Sequence, residues 1–130
     1  LCELVRSPAF WQLPEGRVVG RVGCPIDSAP ESYPVNFVLD NHAIVFRTDP
    51  GSKLSGLERS PSVSFEVDSI DVENNVGWSV LIKGRATEVA DAEHLAGVQA
   101  LPLRFWDIGL KGHWIRIDAQ VITGRRIHPR

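Results

Sequence analysis

The sequence predicts a mainly β protein, an antiparallel barrel of six strands with short helices set between them. Three observations predict it. Apolar residues alternate with period two in several short runs, most cleanly in Ser62–Asp68, where Val63, Phe65 and Val67 face one way and Ser64 and Glu66 the other. Strand-like runs follow one another through turn-forming clusters instead of alternating regularly with helices, which argues against a doubly wound parallel sheet. The strand edges carry little protective charge, and closure into a barrel removes most of the edges that would need it.

Taken in order, Leu1–Arg6 reads as the end of an amphipathic helix stopped near Ser7-Pro8. Phe10, Trp11 and Leu13 are apolar, but Pro14, Glu15 and Gly16 break any long period. Arg17–Gly23 reads as a strand with Val18 and Val22 on one face and Val19 on the other, and Cys24–Ser32 as a loop. Gly16, Gly20 and Gly23 do not spell a dinucleotide-binding fingerprint. In the strand Tyr33–Leu39, Tyr33, Val35, Phe37 and Leu39 share one face and Pro34, Asn36 and Val38 the other. Asp40-Asn41-His42 turns the chain into a second strand, Ala43–Thr48. Asp49 as cap and Pro50 at the first helical position predict a helix over Pro50–Arg59, with Leu54 and Leu57 on its buried face, Gly56 as its weak point and Ser60-Pro61 as its stop.

The acidic, Asn-rich Ser69–Val76 reads as a loop, and Gly77–Val89 as a long strand in which Gly84 marks a bend or a close backbone approach. Asp91 caps a helix through Leu101, with Leu95, Val98 and Leu101 as its buried stripe. Pro102–Gly112 is irregular, and His113–Asp118 and Val121–His128 finish the chain as a strand pair.

Composition bounds the function. A chain of 130 residues, 43% hydrophobic and 23% charged, makes one globular domain over residues 1–130, with the first thirty the least legible. A net charge of −2 argues against binding nucleic acid by charge. No apolar run approaches a membrane span, so no membrane partner is expected. Cys2 and Cys24 fit no disulfide framework, which makes a reducing cytoplasm the default compartment. His42, His94, His113 and His128 show no metal-ligand spacing, and neither G-x-S-x-G nor H-E-x-x-H occurs. Glu66, Asp68, Asp71 and Glu73 read as solvated acids.

One stretch carries chemistry. Between Tyr33 and Lys53 two strands lead into a helix start surrounded by Arg47, Thr48, Ser52 and Lys53. Free N–H groups and the helix dipole favour an anion there, and Arg, Lys and hydroxyl groups add donors, so a phosphate suits the corner. The plain alternative is a hairpin followed by a surface helix with ordinary solvated charges.

The order of short motifs favours the phosphate. Pro34–Phe37, Phe46–Thr48, Gly51–Leu54, Gly77–Leu81, Gly84–Ala86, His113–Ile117 and Gly124–Ile127 resemble, in order and spacing, the pyridoxamine 5′-phosphate oxidase-like family of FMN-binding split β-barrels, in its small actinobacterial-type members. The resemblance implies FMN, with Arg47, Thr48, Ser52 and Lys53 on its phosphate. The face carrying Pro34, Asn36 and Val38 would lie along the isoalloxazine, with backbone groups of the Pro34, Val35, Asn36 and Phe37 stretch and the Asn36 amide at its pyrimidine edge. Trp78 and Ser79 match a flavin-contacting strand start, and His113, Trp114 and Arg125 match positions that approach the flavin from a second subunit of a homodimer. Core or interface packing for either Trp, a satisfied surface role for His113 and a simple ion pair for Arg125 are the plain alternatives.

A flavin would carry the redox chemistry, so no catalytic dyad is needed. The resemblance implies an oxidoreductase acting on a small organic substrate, with NAD(P)H as one candidate donor. Its alternatives are a non-catalytic flavin-binding or sensing module and a reductase using a deazaflavin coenzyme. The substrate-binding Arg and His positions of the vitamin oxidases are not reproduced, so oxidation of pyridoxamine phosphate itself is not expected.

Overall fold

The computed structural model describes residues 2–5, 19–26, 28–60, 62–99 and 112–128. Its elements in chain order are β1 (Cys2–Val5), β2 (Val19–Ile26), β3 (Ala29–Asp40), β4 (Ala43–Thr48), α1 (Ser52–Arg59), β5 (Val63–Asp71), β6 (Val76–Glu88), α2 (Ala92–Gln99) and β7 (His113–Ile127). Six strands close a ring in the order β7-β4-β3-β2-β5-β6, with β6 returning to β7, and β1 adds a seventh beside β7. Neighbours pair antiparallel throughout. Among the described residues no helix is long and apolar enough to cross a membrane.

The alternation read from the sequence sets the core. Tyr33, Val35 and Phe37 of β3 and Val63, Phe65 and Val67 of β5 all turn inward. They meet Val22, Ile44, Phe46, Ile82, Ile115 and Ile117 in one cluster, closed at one end by Leu54 and Leu57 of α1. Burying each such side chain stabilises the fold by roughly 1.5–3 kcal/mol. Gly56, the expected weak point of α1, has a packing reason. A Cβ there would lie 2.7 Å from the Pro25 carbonyl oxygen, so glycine lets the helix rest directly on β2.

Five expectations need correction. Residues 2–5 form a strand, not a helix end, because residues 124–127 of β7 offer them a free edge. Within Cys24–Ser32 there is a hairpin, not an open loop. Cys24 faces Glu31, Pro25 faces Pro30 and Ile26 faces Ala29, around a turn where Ser28 takes a φ of 67°. Proline is compatible with a ladder wherever its missing N–H is not called upon.

Helix α1 starts at Ser52 with Gly51 at its cap, two residues beyond the expected start. Gly51 has a φ of 139°, a conformation open to glycine, so the sharp exit from β4 is made there and not at Asp49-Pro50. The loop expected over Ser69–Val76 shrinks to a turn. The Asp71 carboxylate accepts hydrogen bonds from the Asn74 backbone N–H at 3.2 Å and the Asn74 amide at 2.7 Å, and this lets β5 and β6 extend.

Finally, residues 113–127 form one continuous strand where two were expected. Gln120 is a bulge, because Lys83 pairs with Val121 while Gly84 pairs with Ala119. A Cβ on Gly84 would stand 2.0 Å from the Asp118 carbonyl oxygen, so the close approach expected at this glycine falls where the β6–β7 register shifts. In α2 the Asp91 carboxylate accepts the His94 N–H at 3.0 Å, the expected cap. Leu95 packs on a small second cluster of Val45 and Trp114 outside the barrel, while Leu101 and the Val98 side chain lie outside the described residues. The same holds for Arg17 and Val18.

Candidate functional site

Strand β4 ends where α1 begins, and Arg47, Thr48, Ser52 and Lys53 lie at that junction, with Asn36 and Trp114 on the strands to either side of β4. Arg47 pairs across the ladder with Trp114, and Thr48 with His113. On the other side of β4, Phe46 pairs with Phe37 at the end of the ladder, and Arg47 and Asn36 are the next residues along the two strands. Asn36, Arg47 and Trp114 thus form a row across three strands on the barrel's outer face. The Arg47 guanidinium lies 5.4 Å from the centroid of the Trp114 ring, a cation–π contact. Trp114 is only 7% exposed and packs on Val45 of β4. The corner is completed by Ser52 and Lys53 in the first turn of α1, both exposed.

That first turn has no side-chain cap and no acidic residue. Its N–H groups therefore lack the partner that a capping oxygen or carboxylate usually supplies. Lys53 is a cation where the helix dipole favours an anion, an arrangement that a bound anion would reverse into a favourable one. The Lys53 ammonium lies 4.6 Å from the centroid of the Tyr33 ring. Both cations of the corner therefore rest against aromatic faces. Thr48 is buried, and its hydroxyl donates to the Asp49 carbonyl at a long 3.4 Å, so it can turn to another acceptor at little cost.

The remaining expected residues fall into other settings. Pro34 is exposed on the outer face of β3, but the Val35 and Phe37 side chains point into the core, which leaves only their backbone groups for a ligand. His113 approaches Glu88 of β6, with its Nδ1 2.9 Å from a carboxylate oxygen. Trp78, Ser79 and Arg125 form a second group, in which Ser79 pairs with Arg125 and Trp78 with Arg126. Trp78 also lines a surface crevice of about 400 Å³ with Ser69, Arg126 and His128. From Ser79 to Glu88, which pairs with Ile115 next to Trp114, β6 runs about 30 Å of strand, so the two groups lie well apart along the β6–β7 ladder.

Two features escaped the sequence. Tyr33 alternates as a core residue, and nothing in its spacing announces that a lysine twenty positions on would settle on its ring. Glu66 read as solvated but is half-buried. Burial first, then the neighbouring Asp68, push its carboxyl up to about 7, while Arg21 at 3.8 Å pulls the other way. Among the described residues no group of three or more His, Cys, Asp or Glu is placed to hold a metal ion.

A six-stranded antiparallel ring whose first helix starts beside an arginine, a lysine and a threonine is a split β-barrel of the pyridoxamine 5′-phosphate oxidase type. Residues 7–126 match the family model for pyridoxamine 5′-phosphate oxidase, and the chain belongs to that family. It is 34% identical over 113 residues to the uncharacterized protein Rv0080 of Mycobacterium tuberculosis, covering 83% of this chain and 74% of that protein. Among solved structures, the FAD binding protein from Mycobacterium smegmatis is 35% identical, with a TM-score of 0.78 over 95% of this chain and 97% of that one. A conserved protein of unknown function from Corynebacterium diphtheriae, DIP1874, is 32% identical, with a TM-score of 0.78 over 97% of this chain and 98% of that one.

Proposed function

We propose that this chain is a flavoprotein whose barrel corner holds the phosphate of FMN, and that it acts as an oxidoreductase on a small organic substrate. The observation that carries this reading is the corner itself. Arg47 and Lys53, each against an aromatic ring, stand beside a helix start with no cap and no acid. Arginine offers a planar fork and lysine a point charge, the two donor types that phosphate oxygens take best. Membership of the family and the FAD-binding relative support a flavin. FAD shares with FMN the ring and the first phosphate, so the same corner serves either, and a deazaflavin coenzyme remains the alternative to both.

In this reading the flavin supplies the redox chemistry and the chain supplies position and field. Asn36, in the same row as Arg47, offers its amide to the ring edge, with backbone groups of residues 34–37 beside it. Extraction of the cofactor and mass spectrometry test the reading. The expected result is a yellow protein that releases FMN, or FAD as in the relative. A colourless protein that binds neither in titration overturns it. Anaerobic bleaching by NAD(P)H then separates an enzyme from a passive flavin carrier.

We also infer a homodimer. Trp78 and Ser79 match a flavin-contacting strand start and Arg125 a position that approaches the flavin from a second subunit, and this group stands about 30 Å of strand away from Trp114 of its own chain. A second copy would bring its own group to the corner. Obligate dimers of this kind commonly bury more than about 2,000 Å². Sedimentation equilibrium should give twice the 14.4 kDa of the chain. A monomer at micromolar concentration with flavin fully bound would rule the dimer out.

A further inference from the structure

We propose that Tyr33 is a positioning residue of the phosphate corner, and that the face of its ring holds the Lys53 ammonium in place at the start of α1. The inference rests on reading Lys53 as a phosphate ligand. Tyr33 is 8% exposed and belongs to the core cluster under α1, but the Lys53 nitrogen reaches its ring at 4.6 Å.

Three facts give the contact a purpose. The first is what Lys53 lacks. It is exposed, sits on a four-carbon stem with many rotamers, and occupies a helix turn whose dipole repels it. Among the described residues no carboxylate pairs with it. The ring quadrupole is therefore the attraction that selects one position for the ammonium.

The second fact is that the contact is with the ring and not with a phenolate. Burial raises the Tyr33 pKa, so the phenol stays neutral. The third is the hydroxyl. It is buried with no hydrogen-bond partner in good geometry among the described residues, and the Cys24 thiol that interacts with it is a weak one. A buried hydroxyl without a partner is a cost, so the position is explained by the aromatic face and not by the polar tip. Phenylalanine should serve there as well.

The Arg47–Trp114 contact repeats the device on the other cation of the corner. Two cations set in place before the ligand arrives lose less freedom on binding than two that must be recruited from solvent. The preference for a phosphorylated flavin over a bare one should thus depend on the rings as well as on the charges.

The test compares FMN with riboflavin, which has the same ring system and no phosphate, by fluorescence titration of the full chain. Wild type, Tyr33→Phe, Tyr33→Leu, Lys53→Ala and the double variant Tyr33→Leu/Lys53→Ala are compared. Tyr33→Leu should lower the FMN-over-riboflavin preference about three- to tenfold, the scale of a cation–π contact. Tyr33→Phe should keep the wild-type preference, and in the Lys53→Ala background Tyr33→Leu should add nothing. General damage to the core affects both ligands alike, so the ratio separates positioning from packing. If Lys53→Ala reduces the preference and Tyr33→Leu does not, Tyr33 is only a core residue. If Tyr33→Leu still reduces it without Lys53, the ring acts through some other route and the inference fails. If Lys53→Ala itself leaves the ratio unchanged, the phosphate reading falls, and this inference with it.

Discussion

Phe65→Ala should cost the fold about 3–5 kcal/mol, the scale for deleting a buried aromatic ring. Phe65 is fully buried on β5 and meets Phe37 of β3 edge-on, with centroids 4.9 Å apart at 70°. Such a pair adds roughly 0.5–1.5 kcal/mol to its area burial. Its end lies under Gly20 of β2, where an added Cβ would come within 2.2 Å of the ring, so the barrel wall is shaped around it. The strands on either side, β2 and β6, cannot collapse into the vacated space without breaking their ladders with β3 and β7. Against a typical total of about 5–15 kcal/mol, this loss leaves a marginal protein. Urea unfolding should show a much lower midpoint with little change in slope. A loss below about 1.5 kcal/mol would mean that the ring is not the centre of the core.

Lys53→Ala should weaken FMN binding roughly ten- to a hundredfold, since a charge-assisted contact contributes about 1.5–3 kcal/mol and each decade is about 1.4 kcal/mol. Riboflavin should bind wild type poorly and be nearly indifferent to the substitution. Arg47→Ala should act in the same direction, with a further effect on Trp114, whose ring it covers. Added salt should narrow the gap between the two ligands only modestly if the phosphate is partly shielded by the corner. Equal losses for both ligands, or none, would place the phosphate elsewhere.

The inner face of the barrel was legible because burial on one side of a sheet imposes period two, and Tyr33, Val35, Phe37, Val63, Phe65 and Val67 obey it. Gly84 was legible for a related reason, since a glycine inside an otherwise regular strand signals a close approach. Element boundaries were not. The start of α1 was decided by the backbone freedom of Gly51, which overrode two good helix-start residues just before it. The hairpin at Ser28 was hidden by two prolines whose effect depends on whether the facing strand asks for their N–H. β7 looked like a pair because Ala119-Gln120 interrupts its pattern, and only Gly84 on the neighbouring strand turns that interruption into a bulge.

Within the site, the cations and hydroxyls of Arg47, Thr48, Ser52 and Lys53 could be grouped because they fall within one short stretch, residues 47–53. The aromatic supports could not. Trp114 reaches Arg47 through a ladder between strands far apart in sequence, and Tyr33 reaches Lys53 across the mouth of the barrel. Long-range pairing of this kind leaves no local pattern to read.

β7 follows every other described element in the chain, yet it pairs with β1, β4 and β6. During synthesis the nascent chain therefore emerges with three strands waiting for a partner that the ribosome has not yet released. Hairpins such as β3–β4 and β5–β6 can form early, but the ring cannot close until residues 113–127 clear the exit tunnel. Contacts of such wide sequence separation place folding toward the slow, millisecond-to-second end of small domains. A transcript truncated before His113 would leave those edges open to other chains, and its product would aggregate sooner than it would fold.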